Sequence, residues 1–360
     1  SSTEEKKIKI GYICGEFRNH PTYHLIKNLF KSHNSQKFNI FLFSFRHDEK
    51  IKEKLKEDVY KFFDITQITD TSAAEIIKEC KLDVLIDLTV IISRNRINIL
   101  KAKPAKNIIS YLGFPGTSGH NFYDYILTDK IVAPEEHQPF YTEKFLYLPN
   151  CYQINNGLSN FSKTKTTRNE HLLPKNAFVL ACFNQSFKLD KTTFDCWIEI
   201  LRELPDSILW LLDDNKVAQQ NLSNYIKKKN IDEKRLIFAE KLSREKHIER
   251  LKLADVALDT RIYNGHTTTI DALQAGIPVV TKTGSHFASR VSTSLLLSLG
   301  LDELCCEDLI SYKEKVIELC INEKVRARLL DKLTAKNNFE KIHNNELFAK
   351  NLEQTLMGIL

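Results

Sequence analysis

The run VALDTRIYNGHTTTIDALQAGIPVVT, residues 256–281, decides the fold. Residues 256–258 form a short apolar strand, residues 267–275 have helical spacing, and residues 278–281 read as a second strand. Strand, helix and strand in that order make a crossover unit, with two parallel strands and the helix on one face. The loop between carries Asn264, Gly265 and His266, and the helix opens on Thr267, Thr268 and Thr269. Gly265 permits close backbone approach, and the first-turn N–H groups of a helix have no partners within it. With the helix dipole added, a phosphate is the natural guest. Asp271, about one turn in, suits ribose hydroxyls, as acidic residues do in other nucleotide-binding folds. The plainer alternative is a threonine cap, with Asp271 complementing the dipole.

The same rhythm extends in both directions. Upstream in the second half, strands are predicted at residues 178–183, 207–212 and 235–238, with helices at 191–203, 215–229 and 243–253. A further helix fits residues 288–299, and residues 311–357 read as helices only. The first half gives strands at 8–13, 38–43, 83–88, 106–112, 125–128 and 144–148. Helical patterns lie among them at 22–32, 50–60, 72–78 and 94–101. Strands separated by helices of this length predict parallel sheets covered on both faces. Residues 150–175 break the alternation with Asn155-Asn156-Gly157 and the polar run Ser162 to Arg168. The expectation is an α/β chain of two doubly wound domains, residues 1–150 and 176–360, joined by a linker at 151–175 and ending in a helical tail.

Composition fits that division. At roughly 150 residues per domain, 360 residues suggest two. With 42% hydrophobic and 27% charged residues, each domain can bury a core. The formal net charge of +6 suits a small polyanion and is too weak to argue for nucleic acid. Lys227-Lys228-Lys229 is the one basic run, and a solvated helix end accounts for it. Eight cysteines without a C-x-x-C pair, and no histidine spaced for zinc, point to a reduced chain with no metal. The polar, acidic start Ser1-Ser2-Thr3-Glu4-Glu5 predicts no signal peptide, and the most apolar stretch is too short to span a bilayer. A cytoplasmic location is expected.

Three more segments sit past strand ends, where open α/β sheets bind ligands. In Phe183-Asn184-Gln185-Ser186-Phe187-Lys188, Gln185 and Lys188 are the polar candidates, and Lys188 suits a diphosphate as a point charge. In Phe17-Arg18-Asn19-His20-Pro21-Thr22-Tyr23-His24, His20 is a base, half of a metal pair with His24, or a polar helix cap. Leu112 to Gly119 is a Gly/Pro turn, either facing a substrate or simply connecting.

In this order and spacing, the segments resemble the catalytic domain of the O-linked N-acetylglucosamine transferase family. Asn19-His20-Pro21-Thr22, Leu112 to Gly119, Phe183-Asn184-Gln185, Asn264 to Asp271 and Ala288-Ser289-Arg290-Val291 carry the likeness, over about residues 8 to 305. The resemblance implies a GT-B fold of two facing Rossmann-like domains and an inverting mechanism without metal or cofactor, the UDP-sugar being the donor substrate. It implies that Thr267, Thr268 and Lys188 hold the donor's phosphates and Asp271 its ribose. His266 then lies beside the diphosphate, Gln185 lines the donor site, and His247 and Arg250 meet the uridine. His20 matches a histidine near sugar and acceptor that has been considered as general base. The sequence departs from the animal pattern at Phe187, Arg244 and Tyr263, where Tyr, Lys and Cys stand. Val90-Ile91-Ile92 replaces a Gly-His turn of many bacterial relatives. With neither tetratricopeptide repeats nor the animal enzymes' long insertion in these residues, a short bacterial-type member is expected.

The leading expectation is transfer of a sugar, most simply N-acetylglucosamine, from UDP to a protein Ser or Thr. The alternative is a nucleotide-sugar-binding protein without transferase activity.

Overall fold

The computed structural model describes residues 6–156 and 164–360. Residues 1–5, on which the absence of a signal peptide was read, and 157–163, the middle of the expected linker, lie outside the described residues. The chain divides into unit 1, Ser1–Asn156 with His343–Leu360, and unit 2, Gly157–Ile342.

Unit 1 holds a seven-stranded parallel sheet. Its strands are β1 (Ile8–Cys14), β2 (Phe38–Ser44), β3 (Lys61–Asp64), β4 (Val84–Asp87), β5 (Asn107–Ser110), β6 (Tyr125–Thr128) and β7 (Lys144–Tyr147). They lie in the order β3-β2-β1-β4-β5-β6-β7. The connecting helices are α1 (Pro21–Ile26), α2 (Leu29–Ser32), α3 (Glu49–Asp58), α4 (Asp70–Glu79) and α5 (Ile97–Lys101). β4 is buried along its whole length because helices cover both faces of a parallel sheet, and Val-Leu-Ile suits that position. One long helix over residues 22–32 was expected, but α1 and α2 are separate; between them the Asn28 amide is drawn to Asn156 Oδ1. β3 was not anticipated, since Lys-Phe-Phe-Asp is too short to show a period; Phe63 stacks on Phe43 at 5.0 Å.

The chain order reverses between β1 and β4, so their carboxyl ends open a crevice. There Val90 has φ +56°, a left-handed conformation that is unfavourable for a β-branched residue. Asp87 holds it, with Oδ1 accepting from the N–H groups of Thr89 (3.0 Å) and Val90 (3.1 Å). Tyr123 locks the other oxygen at 2.6 Å.

Unit 2 holds a six-stranded parallel sheet in the order β10-β9-β8-β11-β12-β13. The strands are β8 (Phe178–Cys182), β9 (Ser207–Leu212), β10 (Leu236–Ala239), β11 (Val256–Leu258), β12 (Val279–Lys282) and β13 (Cys305–Cys306). The helices are α6 (Lys191–Glu203), α7 (Lys216–Lys228), α8 (Arg244–Leu251), α9 (Thr267–Gln274) and α10 (Val291–Ser298). α11 (Leu309–Ile321), α12 (Glu323–Thr334), α13 (Lys336–His343) and α14 (Asn345–Met357) complete the chain. Both tryptophans, Trp197 and Trp210, are fully buried in this unit. Trp197 donates to the Tyr312 hydroxyl (3.2 Å), which donates to the Asp259 carbonyl (2.9 Å), so the core is tied to the end of β11.

Two expected boundaries change. The helical tail does not belong wholly to the second domain, because α14 is part of unit 1. Leu352 and Leu356 on it are fully buried, and Glu353 accepts from His33 Nδ1 at 2.8 Å while Tyr12 donates to His33 Nε2 at 2.7 Å. Nor is the whole of 151–175 a linker. Residues 151–156 are buried in unit 1, where Tyr152 N–H donates to Asp129. Arg168 is fastened to unit 2 through the Ala177 carbonyl (2.8 Å) and Asp255 (3.1 Å).

Candidate active site

In unit 2 the chain order reverses between β8 and β11, the position at which such sheets bind ligands. A cleft opens there, lined by Phe183, Asn184, His247, Asp259, Thr268 and Ala272 among others. Eight of the nine site residues singled out from sequence belong to this unit, and His20 belongs to unit 1.

Asp259, at the end of β11, builds the floor. Its Oδ1 accepts from the N–H groups of Gly265 (2.8 Å) and Thr260 (2.9 Å), and its Oδ2 from Thr281 (2.7 Å). Asn264 is fully buried, donating to the Thr260 carbonyl and accepting from the Ser292 N–H. These bonds set the chain so that α9 begins at Thr267. His266 at the helix N-cap makes no side-chain capping bond, so the first-turn N–H groups remain available. A Cβ on Gly265 would lie 2.3 Å from Thr268 Oγ1 and 2.7 Å from Thr269 Oγ1, which is why glycine stands there. Thr268 donates to Asn184 Oδ1, so its hydroxyl is already committed. Sequence reasoning missed Asp259; the signal was a lone carboxylate ending a buried strand.

Lys188 closes the short turn Ser186–Lys188 after β8. Burial holds its ammonium below the usual lysine range, opposed by attraction to Asp259. Gln185 begins the same turn with its side chain exposed, and its carbonyl accepts from the Lys188 N–H at 3.0 Å. His266 is half-buried, its Nε2 covered and, among the described residues, without a partner, and burial with the nearby Lys188 pushes it down to about 3.

On α8, Arg250 Nε donates to His247 Nδ1 at 3.0 Å, which leaves the proton of the neutral ring on Nε2. Burial, then Arg250 and Arg244, lower His247 to about 3. Arg250 does not line the cleft. Its guanidinium lies 4.7 Å from the Phe183 ring centroid and donates to the Glu240 carbonyl at 2.7 Å, so it acts by orienting His247. Asp271 is buried and pairs with Arg244 Nε at 3.0 Å; burial raises its carboxyl while Arg244 pulls it down.

In unit 1, His20 is the N-cap of α1, its Nδ1 accepting from the Thr22 N–H at 3.1 Å. The neutral ring therefore carries its proton on Nε2, 3.7 Å from Glu16. In this arrangement His20 is a hydrogen-bond donor rather than a base. His24 engages Asn19 at 2.7 Å instead of completing a metal pair. Among the described residues no group of three or more His, Cys, Asp or Glu is arranged to hold a metal.

The two histidines of unit 2 pushed down to about 3, His247 and His266, make its stability fall with acid. A folded-state value near 3 against 6.5 unfolded means that the contribution is complete above about pH 6.5 and is lost as the pH falls toward 3. At pH 5, about 1.5 units below the unfolded value, the loss is about 2 kcal/mol per histidine. Because both tryptophans lie in unit 2, denaturant titration followed by their fluorescence reads this unit alone. The midpoint is expected to drop between pH 7 and pH 5, and to drop less in His266→Asn. A midpoint constant over that range would show that burial does not hold the two rings neutral.

Among the described residues no helix is long and apolar enough to cross a membrane. The sequence matches glycosyl transferase family 41 over residues 1–165 and 159–352. A probable UDP-N-acetylglucosamine–peptide N-acetylglucosaminyltransferase of Arabidopsis thaliana, SEC, is 32% identical over 358 residues, covering 97% of this chain and 37% of that protein. The Caenorhabditis elegans UDP-N-acetylglucosamine–peptide N-acetylglucosaminyltransferase is 26% identical, over 87% of this chain and 37% of that one. This chain thus spans well under half the length of these relatives. A variant of the Thermobaculum terrenum O-GlcNAc transferase superposes with a TM-score of 0.89 at 24% identity, over 99% of this chain and 69% of that one. Anabaena HepE, solved with UDP-glucose, superposes with a TM-score of 0.59 at 13% identity, over 96% and 100%. The fold class is GT-B, α/β with two Rossmann-like units. On the match over nearly its whole length, the chain belongs to glycosyl transferase family 41.

Proposed function

We propose that the chain is an inverting protein O-glycosyltransferase that moves N-acetylglucosamine from UDP-N-acetylglucosamine to a Ser or Thr hydroxyl of a protein. The observation that carries this is the start of α9: an uncapped helix N-terminus at the switch point of the sheet, with the Lys188 ammonium beside it on the Asn264 carbonyl. A diphosphate matches that arrangement in charge and in hydrogen-bonding. The acceptor hydroxyl attacks the anomeric carbon and gives up its proton to water, the bond to UDP breaks, and the departing charge meets the N–H groups of Thr267 and Thr268 together with Lys188. His247 Nε2–H is oriented by Arg250 to donate to a uracil carbonyl, and Asp271 with Arg244 takes the ribose. Gln185 and His266 complete the donor side. His20, in its donor tautomer, serves the acceptor side by donating from Nε2.

With Lys188 and the helix supplying positive charge, no metal or other cofactor enters the proposed reaction. Eight free cysteines suit a cytoplasmic chain. Protein is the proposed acceptor, and nucleic acid is not a proposed partner. The test is incubation with UDP-N-acetylglucosamine and protein acceptors in the presence of a chelator, with added hexosamine read by mass spectrometry. Transfer at the same rate with and without chelator is expected. A strict Mg²⁺ or Mn²⁺ requirement would contradict the charge assignment, and UDP binding without transfer or hydrolysis would favour a nucleotide-sugar-binding protein.

A further inference from the structure

Lys188 is held without a carboxylate. Its ammonium donates to the Asn264 carbonyl at 3.3 Å and lies over the face of Tyr263, 4.4 Å from the ring centroid. Among the described residues it forms no salt bridge, and Asp259 attracts it only through space. The Tyr263 ring is itself fixed on several sides. The imidazole of His266 stacks on it at 5.3 Å and 25°, and Phe187 meets it edge-on at 6.0 Å. Its backbone carbonyl accepts from the Thr260 hydroxyl.

We infer that Tyr263 is a positioning residue for Lys188, its ring holding the ammonium where a counter-ion would otherwise stand. A carboxylate at that place would fix the lysine equally well but would cancel its charge. The quadrupole of an aromatic face attracts a cation and leaves the charge in place. The ammonium is then both located and uncompensated when an anionic leaving group forms beside it. Burial lowers the proton affinity of Lys188, and the ring face, which favours the charged form, works against that loss. The functional consequence rests on the donor-site assignment above, while the holding of Lys188 by the ring does not.

The experiment compares the wild type with Tyr263→Ala, Tyr263→Phe, Lys188→Met and the double variant Tyr263→Ala/Lys188→Met, after tryptophan fluorescence has shown each to be folded. Turnover in Tyr263→Ala is expected to fall roughly ten- to thirty-fold with KM for the donor little changed, the scale of one desolvated cation–π contact. Tyr263→Phe keeps the ring and should stay within about twofold of the wild type. In the Lys188→Met background, removing the ring should cost nothing further, because the two act as one unit. The Lys188 side chain end lies over the ring face, so its ε-CH2 NMR signals should be shifted upfield by the ring in the wild type and return to ordinary values in Tyr263→Ala. An equal loss in Tyr263→Phe, an undiminished loss in the Lys188→Met background, or ε-CH2 signals unmoved in Tyr263→Ala would each overturn the inference. Should the wild type neither bind UDP nor turn over, the donor-site assignment fails, and the ε-CH2 signals still decide whether the ring holds Lys188.

Discussion

Lys188→Ala is expected to lower the turnover of sugar transfer by roughly 10²–10³, the scale seen when one preorganised donor is removed from an active site. UDP affinity should change far less. The reason lies in when the charge appears. The diphosphate gains negative charge as the glycosidic bond breaks, so an ammonium beside it interacts more strongly in the transition state than with bound donor. Removing such a group lowers kcat, whereas removing one equal in both states raises KM. Lys188 is suited to this because it is part-buried and, among the described residues, forms no salt bridge. Calorimetry with UDP and a transfer assay on the same folded variant make the comparison. Wild-type turnover in Lys188→Ala would remove the lysine from the chemistry. A large loss of UDP affinity with turnover preserved at saturation would make it a binding group only.

The largest expected effect on stability is at Asp259. Asp259→Ala leaves the N–H groups of Gly265 and Thr260 and the hydroxyl of Thr281 without their buried acceptor. Each such orphan costs about 1–3 kcal/mol, and with partial relaxation the whole should reach about 3–5 kcal/mol. The Gly265 N–H is oriented by that carboxylate, so the start of α9 should shift and UDP affinity should fall with stability. Asp259→Asn preserves the shape and one acceptor oxygen, and is expected to cost about half as much. Denaturant unfolding followed by tryptophan fluorescence gives the first quantity, and UDP titration of the folded fraction gives the second. A midpoint in Asp259→Ala equal to that of the wild type would mean that the carboxylate does not organise the loop.

Much of the architecture was legible because it depends on local period. The crossover over residues 256–281 reappears as β11, α9 and β12, and the strand at residues 207–212 and the helix at 191–203 fall as expected. The short pieces were not legible. β3 and β13 are too brief for any period, and they exist because neighbouring strands offer them backbone partners. Long-range pairings were also hidden. The docking of α14 turns on His33 meeting Glu353 across 320 positions, which no local pattern signals. At the site, the types of residue were visible but their division of labour was not. Arg250 reads as a ligand-binding arginine, yet Phe183 and Trp210 take its guanidinium and leave it to orient His247. His20 reads as a base, yet the Thr22 N–H occupies the nitrogen that would accept a proton.

The central claim is that the N-terminus of α9 and Lys188 form a metal-free diphosphate site. A crystal structure of the chain with UDP, grown in chelator, tests it most directly. The expected result is a diphosphate with oxygens within about 3.2 Å of the Thr267 or Thr268 N–H groups and of Lys188 Nζ, and with uracil against His247. UDP lying elsewhere in the chain, or seated only when a divalent ion is restored, would contradict it.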